Sequence, residues 1–462
     1  MAAQTSEDLL AVFDRAPLNA RYWASYLLLA LVYVLDFFDF FLIAFILAVI
    51  GPQWHLTYGH AALVLYGSGI GAILGSLVWG ALADRFGRKM QTVTGTLICG
   101  FAGGAIAFLP VGAYWPLAVL RILVGFGLAA AITPALTIVV ELTPTRWRSG
   151  LTSLFVASAS VGLLLASFAS HALLPTVGWR GVAMLGLLPI AIGVVAWRFL
   201  PESVRWLAAR GRIDEARAEV ARRFGTAVIG VPPAAARSTL PPRTSLAELY
   251  ADPRLFWQTI LIWGGSTTAA FGALLWGPTI VALVLHIPVA QAAQYYIYVT
   301  SCAIVGRVLV SFVAQRLGRR RLGIVCGFAA AVFLVVAGYF NAVLVGGFPL
   351  FVILLAASSF FIDAGLSNLA PYSIEQYGVA MGARSSGLGH AAAGIGKILG
   401  PLTLAVIAGS GNFVSPKATR EAVFPAFLFL AFCMALVGLA FVFLGRETHG
   451  RALALGIKAE AD

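Results

Sequence analysis

Charge is scarce in this chain of 462 residues: 11% of the residues are Asp, Glu, Lys or Arg, whereas 60% are hydrophobic. A soluble protein carries roughly 25% charged residues. So little polar material could not cover a water-facing surface. The composition therefore excludes an ordinary soluble protein and predicts a chain that lies largely within a lipid bilayer.

Cysteine pairs and catalytic motifs are also missing. The four cysteines fall inside apolar segments without CxxC or Cys/His spacing, so no zinc site or disulfide framework is expected. No phosphate-binding glycine loop and no nucleophile–base arrangement occurs. The chain is therefore not expected to be an enzyme, and no cofactor is predicted.

Acidic residues are fewer than basic ones, 19 against 31, which gives a formal net charge of +12. In a soluble protein this excess would suggest nucleic-acid binding. No basic helix or module of stacking aromatics accompanies the charge, so nucleic acid is not an expected partner. The basic residues instead lie mainly in short loops between apolar segments.

Apolar segments long enough to cross a membrane recur along the whole chain. Twelve spans are predicted, which makes the fold class an all-α polytopic membrane protein. The predicted spans are 22–50, 60–83, 91–110, 115–140, 150–171, 178–199, 257–285, 292–315, 322–341, 347–371, 385–409 and 421–444.

The basic residues lie in every second connection between the predicted spans. The positive loops contain Arg85, Arg88 and Lys89, then Arg146 and Arg148, then Arg316, Arg319, Arg320 and Arg321, then Arg384. Loops rich in Lys and Arg stay on the cytoplasmic side of the membrane. We therefore expect both termini in the cytoplasm and the chain in the inner (plasma) membrane.

The chain divides into two similar halves around one polar segment. The sequence Asp84-Arg85-Phe86-Gly87-Arg88-Lys89 is echoed 231 positions later by Gln315-Arg316-Leu317-Gly318-Arg319-Arg320. We predict a six-span bundle over 1–199, a linker with an amphipathic helix over 200–256, and a second bundle over 257–462. In transporters with duplicated halves the substrate site lies at the midplane between the halves.

These residues resemble the major facilitator superfamily over essentially the whole chain. The segment Gly80-Ala81-Leu82-Ala83-Asp84-Arg85-Phe86-Gly87-Arg88-Lys89 is similar to its loop motif between helices 2 and 3. Arg121 with Gly125, Gly127, Pro134, Glu141, Pro144 and Arg148 resembles its helix 4 pattern. The segment Pro201 to Leu207 resembles the motif after helix 6 in sugar porters.

Within that superfamily, Asp36-Phe37-Phe38-Asp39 resembles the Asp-Gly-x-Asp signature of the aromatic acid:proton symporters. The chain departs from the signature at the second position, where Phe37 replaces Gly. The resemblance implies functional roles for Asp36, Asp39, Arg121 and Glu141. It also implies two pseudo-symmetric six-helix bundles that work by alternating access.

The paired acids are the sharpest chemical feature. Asp36 and Asp39 share one helix face near the middle of the first span. A charged Asp at mid-membrane costs about 2.5–3.5 kcal/mol, and two neighbouring charges cost more. We expect the pair to exchange a proton near neutral pH, although a buried structural pair is the alternative. Arg121 must find an anion, which is either these acids or a substrate carboxylate.

The second half offers further polar residues within its spans. Lys397 either faces the cavity and attracts an organic anion or pairs with Asp363, while Arg307 is expected to be structural. The predicted substrate-binding residues are Arg121, Lys397, His390, Asn368, Tyr372, Trp276 and Tyr33. For each aromatic residue, packing or anchoring at the membrane interface is the alternative.

The charged loops are expected to form a gate on the cytoplasmic side, or else to act only in setting the topology. The predicted gate residues are Gly80, Asp84, Arg85, Gly87, Arg88, Lys89, Glu141, Arg148, Arg316, Arg319, Glu375 and Arg384.

The sequence thus predicts proton-coupled uptake of a small organic acid, with an aromatic carboxylate favoured through the resemblance. The proton gradient supplies the energy, and the carrier is expected to work as a monomer. Three alternatives stay open. They are a carrier of a neutral sugar, polyol or other metabolite, an exporter that works by antiport, and a receptor or scaffold with a transporter fold.

Overall fold

The computed structural model describes residues 18–224, 249–250, 252–377 and 381–448. The described part is almost wholly helical. The helices of the first half and the polar segment are α1 (Ala20–Gln53), α2 (Tyr58–Phe86), α3 (Arg88–Ala105), α4 (Tyr114–Leu142), α5 (Thr145–Met184), α6 (Leu188–Phe199), α7 (Val204–Ala209) and α8 (Ile213–Phe224). Two short 3-10 helices, Ile106–Phe108 and Leu185–Leu187, follow α3 and α5.

The second half repeats this pattern of long helices. It contains α9 (Pro253–Val284), α10 (Val289–Leu317), α11 (Arg319–Tyr339), α12 (Leu350–Tyr377), α13 (Gly382–Ile407) and α14 (Pro416–Phe443). A small antiparallel hairpin of β1 (Leu344–Val345) and β2 (Phe348–Pro349) precedes α12. The predicted boundaries of the two bundles stay a prediction, because much of the connecting segment lies outside the described residues.

Among the described residues, eleven helical runs are long and apolar enough to cross a membrane. One of them, Arg146–Phe199, has 54 residues, whereas a crossing needs about 20. The chain reverses within it at Gly178, whose φ is 65°. This run therefore contains the fifth and sixth predicted spans. The prediction of an all-α polytopic membrane fold is confirmed.

Two glycines set the sharp turns at one face of the bundle. Gly87 (φ 88°) separates α2 from α3, and Gly318 (φ 83°) separates α10 from α11. A positive φ is readily adopted only by glycine. Since Arg85, Arg88, Arg316 and Arg319 flank these turns, we call this side the basic face. The loops 54–57 and 409–415 lie at the opposite face.

Close packing of small residues holds the first half together. A methyl group on Gly125 of α4 would overlap the carbonyl oxygen of Ser68 in α2, and one on Gly71 would overlap that of Ile122. Membrane helices approach closely where both carry small residues, because lipid offers no hydrophobic driving force for association. These glycines therefore fix the distance between α2 and α4.

The first seam between the halves joins α2 to α13. It begins at the opposite face, where the N–H of Gly59 donates to the carbonyl of Ser410 over 2.9 Å. It continues to Gly394, which packs against the side chain of Ile73. From Gly59 to Ile73 the seam covers about 21 Å of helix.

The second seam joins α5 to α10 over a similar length. Near the opposite face, His171 Nδ1 lies 2.9 Å from the carbonyl oxygen of Ala290. Deeper in the bundle, Arg307 Nη1 approaches the carbonyl oxygen of Val156 to 3.5 Å. From His171 to Val156 this seam spans about 22 Å. The described contacts between the halves thus concentrate on the side of the opposite face.

From this distribution of contacts we infer that the halves separate towards the basic face. Helix α2 continues for about 20 Å from Ile73 to its end at Phe86. His390 of α13, one turn from Gly394 towards the basic face, is exposed although it lies within a membrane-spanning helix. We call this opening the vestibule, and its ceiling lies at the level of Gly394 and Lys397.

The tight contact at Gly125 gives a test of the packing. We expect Gly125→Ala to lower the free energy of unfolding by about 1–3 kcal/mol, because the added methyl group must push α2 and α4 apart. The matched control is Gly150→Ala on α5, where a methyl group would meet no atom within 4 Å. Thermal unfolding in detergent measures both. An unchanged melting temperature in Gly125→Ala would contradict the proposed packing.

Candidate functional site

An ion pair lies at the centre of the first half. Arg121 of α4 and Asp39 of α1 are 1% and 3% exposed, and Arg121 Nη1 lies 3.8 Å from Asp39 Oδ2. The Arg121 guanidinium also donates to the carbonyls of Phe40 over 2.8 Å and of Asp39 over 3.4 Å. Of the two predicted partners of Arg121, the structure shows the acid of helix 1. The cation is therefore neutralised inside the first half.

Asp36 occupies a different environment one turn away. It is 1% exposed, and its nearest described donor is the Thr96 hydroxyl of α3, at 3.5 Å from Oδ2. Asp36 Oδ1 has no hydrogen-bond partner among the described residues. The Asp39 carboxylate packs against Gly103 and Gly186, where a Cβ atom would overlap it. Both acids thus lie within the first half, away from lipid and from bulk water.

In the second half, Asp363 pairs with Arg307 and not with Lys397. Asp363 of α12 forms an ion pair with Arg307 of α10, so the alternative in which Asp363 pairs with Lys397 is wrong. No carboxylate lies within 4 Å of the Lys397 ammonium in the described part of the chain. Lys397 Nζ instead lies over the ring of Phe271, 5.4 Å from its centroid.

Three phenylalanines connect the cations of the two halves. Phe271 of α9 meets Phe40 edge-on with ring centroids 5.6 Å apart, and its ring lies 6.0 Å from that of Phe41. The Arg121 guanidinium lies 5.6 Å from the centroid of Phe40. We call Phe40, Phe41 and Phe271 the aromatic cluster. It separates the neutralised Arg121 from Lys397, where α1 and α9 meet.

The other predicted substrate-binding residues lie at three different levels. His390 lines the vestibule, with its ring 4.8 Å from that of Trp263 and its Nδ1 2.8 Å from the Ser386 carbonyl oxygen. Tyr33 packs between Phe37 and Phe155 in the first half. Trp276 is 1% exposed and lies above the aromatic cluster, towards the opposite face.

Asn368 and Tyr372 lie near the basic face rather than near Lys397. Asn368 Nδ2 donates to the carbonyl of Arg319 over 2.9 Å. The Tyr372 hydroxyl donates to the carbonyl of Arg446 and accepts from the Gln258 amide. Their positions on α12 therefore group them with the charged turn after α10 and not with the midplane.

The charged turns of the two halves are built in the same way. Glu202 accepts hydrogen bonds from the backbone N–H groups of Arg88 and Lys89 at the start of α3, over 2.9 and 3.1 Å. Glu447 accepts one from the N–H of Arg319 at the start of α11, over 3.0 Å. A carboxylate stabilises the N-terminus of a helix through its unpaired N–H groups and its dipole.

Glu202 and Glu447 were not among the predicted gate residues. The sequence does contain a repeat that marks them, because Glu202-Ser203 after the first half matches Glu447-Thr448 after the second half. In both halves a hydroxyl residue then bonds a further acid: Ser203 donates to Glu141, and Thr448 donates to Glu375 over 2.5 Å. Sequence comparison between the two halves at these positions would have found the arrangement.

The remaining predicted gate residues lie around these two turns. Arg319 pairs with Glu375 at 2.6 Å, and Arg148 donates to the carbonyl of Thr143 over 3.2 Å. Arg85 and Arg316 are exposed, and Arg384 is partly buried. The surroundings of Gly80 and of the Asp84 side chain lie outside what the structure describes. Their predicted role in a gate stays a prediction.

Metal ligands are not grouped in the described part of the chain. No three His, Cys, Asp or Glu side chains come together there in a way that could hold a metal ion. The chemistry available at the midplane is therefore that of buried carboxylates, two cations and aromatic rings.

The chain is similar to some curated transporters over almost its whole length and to others over about half of it. It is 28% identical to the niacin transporter NiaP of Acinetobacter baylyi over 96% of this chain and 99% of that protein. It is 34% identical to the 4-hydroxybenzoate transporter PcaK of Pseudomonas aeruginosa over 45% of this chain and 46% of that protein. The gallate transporter of Pseudomonas putida matches at 34% over 46% and 48%.

Solved structures show the same fold. A bacterial homologue of the human lysosomal transporter Spinster, in an inward-facing and unoccupied conformation, covers 92% of this chain and 98% of its own, with a TM-score of 0.74 and 16% identity. The D-xylose–proton symporter covers 94% and 100%, with a TM-score of 0.71 and 18% identity. The family model of the Major Facilitator Superfamily matches residues 29–387, and the chain belongs to that family of membrane transporters.

Proposed function

We propose that this transporter takes up a small aromatic carboxylate together with a proton. The observation that carries the proposal is the contrast between two cations within membrane-spanning helices. Arg121 is neutralised by Asp39 within the first half, whereas Lys397 lies beside the aromatic cluster without a carboxylate partner in the described residues. A cation in a membrane protein that lacks an internal counter-ion is suited to binding an anion.

The exchangeable proton is assigned to Asp36. Asp39 has Arg121 as its counter-ion, but the nearest described donor to Asp36 is a neutral hydroxyl at 3.5 Å. Burying a second unpaired anion costs several kcal/mol, and protonation removes that cost. The two acids act as a coupled unit in which one proton is shared and released.

The aromatic cluster supports an aromatic substrate. Stacked and edge-on ring contacts each contribute about 0.5–1.5 kcal/mol beyond burial of their area. The Lys397 ammonium would hold the substrate carboxylate while Phe41 and Phe271 contact its ring. Niacin, 4-hydroxybenzoate and gallate, for which the similar transporters are named, each carry a carboxylate on an aromatic ring, which supports the same substrate class.

The basic face is proposed to be the cytoplasmic one, because basic loops stay inside. This assignment places both termini in the cytoplasm and the protein in the inner membrane. The vestibule then opens to the cytoplasm, and the structure corresponds to an inward-facing state. We further propose that one chain suffices for transport and that the proton gradient is its energy source.

In the proposed cycle, Asp36 takes a proton while the site faces outwards. The carboxylate then binds Lys397, and the two halves close around the aromatic cluster. The vestibule then opens inwards, where Asp36 releases the proton and Lys397 releases the carboxylate. One proton with one monovalent anion moves no net charge, so the membrane potential would add nothing to such a step.

Removal of the proton site tests the coupling. We expect Asp36→Asn to abolish accumulation of labelled 4-hydroxybenzoate against a gradient while exchange across the membrane continues, because a neutral side chain mimics the protonated acid. Proteoliposomes with and without an inward proton gradient measure both activities. Asp214→Asn on α8, whose side chain is 99% exposed, is the matched control. Proton-driven accumulation by Asp36→Asn at the parent level would refute the assignment.

The two acids should also differ in their effect on stability. We expect Asp39→Asn to lower the free energy of unfolding by about 3–5 kcal/mol, because it leaves the Arg121 charge buried and unpaired. Asp36→Asn should leave stability unchanged or raise it, since it removes an unpaired acid. Thermal unfolding of the two variants in detergent measures the difference. Equal melting temperatures would show that the protein does not need Asp39 to compensate the buried charge of Arg121.

Replacement of Lys397 tests the substrate class. We expect Lys397→Gln to raise KM for 4-hydroxybenzoate about 10- to 100-fold, the loss expected for a hydrogen bond between charged groups. The parent should discriminate against 4-hydroxybenzamide, and the variant should do so much less. Lys417→Gln, at an exposed position near the opposite face, is the control. An unchanged preference for the acid in Lys397→Gln would remove Lys397 from the site.

A further inference from the structure

We propose that the loops at the opposite face form a clamp that closes this side, and that Trp276 links the clamp to the segment of α13 that carries Lys397. Binding of the carboxylate at Lys397 would then favour closure of the clamp. The link to the substrate rests on the proposed function, whereas the clamp itself does not. The clamp is defined by residues 54–59 and 409–415.

Backbone hydrogen bonds build the clamp. Thr57 and Phe413 form an antiparallel β-bridge between the two halves. Three hydrogen bonds of 2.9 Å surround it, and they run from the N–H groups of Tyr58, Gly59 and Val414 to the carbonyls of Asn412, Ser410 and Leu56, respectively. Buried backbone groups need such partners. These bonds must therefore break together when the opposite face opens.

The side chains around the bridge fit this contact closely. A Cβ atom on Gly59 would lie 3.0 Å from the carbonyl oxygen of Ser410, so a larger residue there would push the loops slightly apart. Tyr58 is fully buried, and its hydroxyl lies 2.6 Å from that of Thr419 in α14. The clamp thus combines a backbone bridge with a buried polar contact between the halves.

Trp276 lies directly beneath the clamp. Its ring centroid is 5.8 Å from that of Tyr58. Its indole Nε1–H donates to the carbonyl of Pro401 in α13 over 2.7 Å. Since Trp276 is 1% exposed and its indole N–H is bonded to Pro401, it is placed to connect the clamp to α13 rather than to form a wall of the vestibule.

Pro401 creates a point at which α13 can bend. Proline has no N–H group, so the helix loses the hydrogen bond to the carbonyl four residues earlier, which is that of Lys397. Helices bend most readily at such an interruption. A movement of Lys397 towards a bound carboxylate would therefore change the angle of the segment at Pro401. Trp276 and Tyr58 would pass that change to the clamp.

The clamp can be tested with a disulfide. The hydrogen bonds place Thr57 and Phe413 in a non-hydrogen-bonded pair, whose Cα atoms lie about 4.5 Å apart in antiparallel strands. This distance suits a disulfide. We expect oxidation of Thr57→Cys/Phe413→Cys to reduce uptake at least tenfold, with recovery after reduction. The two single variants are the controls. Unimpaired uptake by the fully oxidised double variant would overturn the clamp.

The link can be tested in the same double-cysteine protein through the rate of disulfide formation. We expect saturating 4-hydroxybenzoate to raise this rate about threefold or more, and Trp276→Phe to abolish the response, because it removes one buried hydrogen bond and keeps the ring. Trp263→Phe is the matched control, since its Nε1–H bonds Ser373 in α12, away from the clamp.

Separate measurement of ligand binding distinguishes the two proposals. Absence of 4-hydroxybenzoate binding to the parent would contradict the proposed function and, with it, the link, while the effect of the disulfide on the clamp would still stand. Binding retained in Trp276→Phe together with a lost rate response supports the link. A response equal to that of the parent, or one also lost in Trp263→Phe, would overturn the role of Trp276.

Discussion

The organisation of this transporter depends on one constraint: an arginine that cannot lose its charge is buried at the centre of a membrane-embedded bundle. Arg121 is 1% exposed, and it reaches Asp39 and two carbonyls of the same helix. Loss of that partner would leave a buried charge uncompensated. The pair thus ties α4 to α1, and it leaves Asp36 as the acid that forms no ion pair among the described residues.

In the second half, the two cations Arg307 and Lys397 differ in how their charges are compensated. Arg307 is neutralised by Asp363, but no described carboxylate lies within 4 Å of the Lys397 ammonium, which lies over the face of Phe271. A cation over an aromatic face gains about 0.5–2 kcal/mol, which is less than the roughly 3–5 kcal/mol lost when one partner of a buried ion pair is removed. Under the proposed function, this difference assigns proton coupling to the first half and anion binding to the second.

Much of the fold could be predicted from the sequence because its causes are local. Apolar runs predict the spans, and the repeated motif around Gly87 and Gly318 predicts two similar halves. The fifth and sixth predicted spans both lie within the run Arg146–Phe199, and Gly178, whose φ is 65°, marks the break between them. The buried position of Asp36 and Asp39 also follows from their place in the first apolar run.

The partners within the site could not be predicted to the same extent, because they depend on how each helix is rotated. Asp363 could face Lys397 or Arg307, and only the packing of α10 against α12 decides for Arg307. Asn368 lies on the side of α12 that meets the charged turn. Glu202 and Glu447 follow the last helix of each half, and their repetition marks them in the sequence, but the helix N-termini that they contact are identified by the fold.

The measurement that tests the account most directly is the number of protons that move with each carboxylate. Purified protein in liposomes with a pH-sensitive dye inside would be given labelled 4-hydroxybenzoate, with protein-free liposomes as the correction for passive entry of the acid. The account predicts that the lumen acidifies in step with protein-dependent uptake of the label. Uptake of the label without protein-dependent acidification would contradict it.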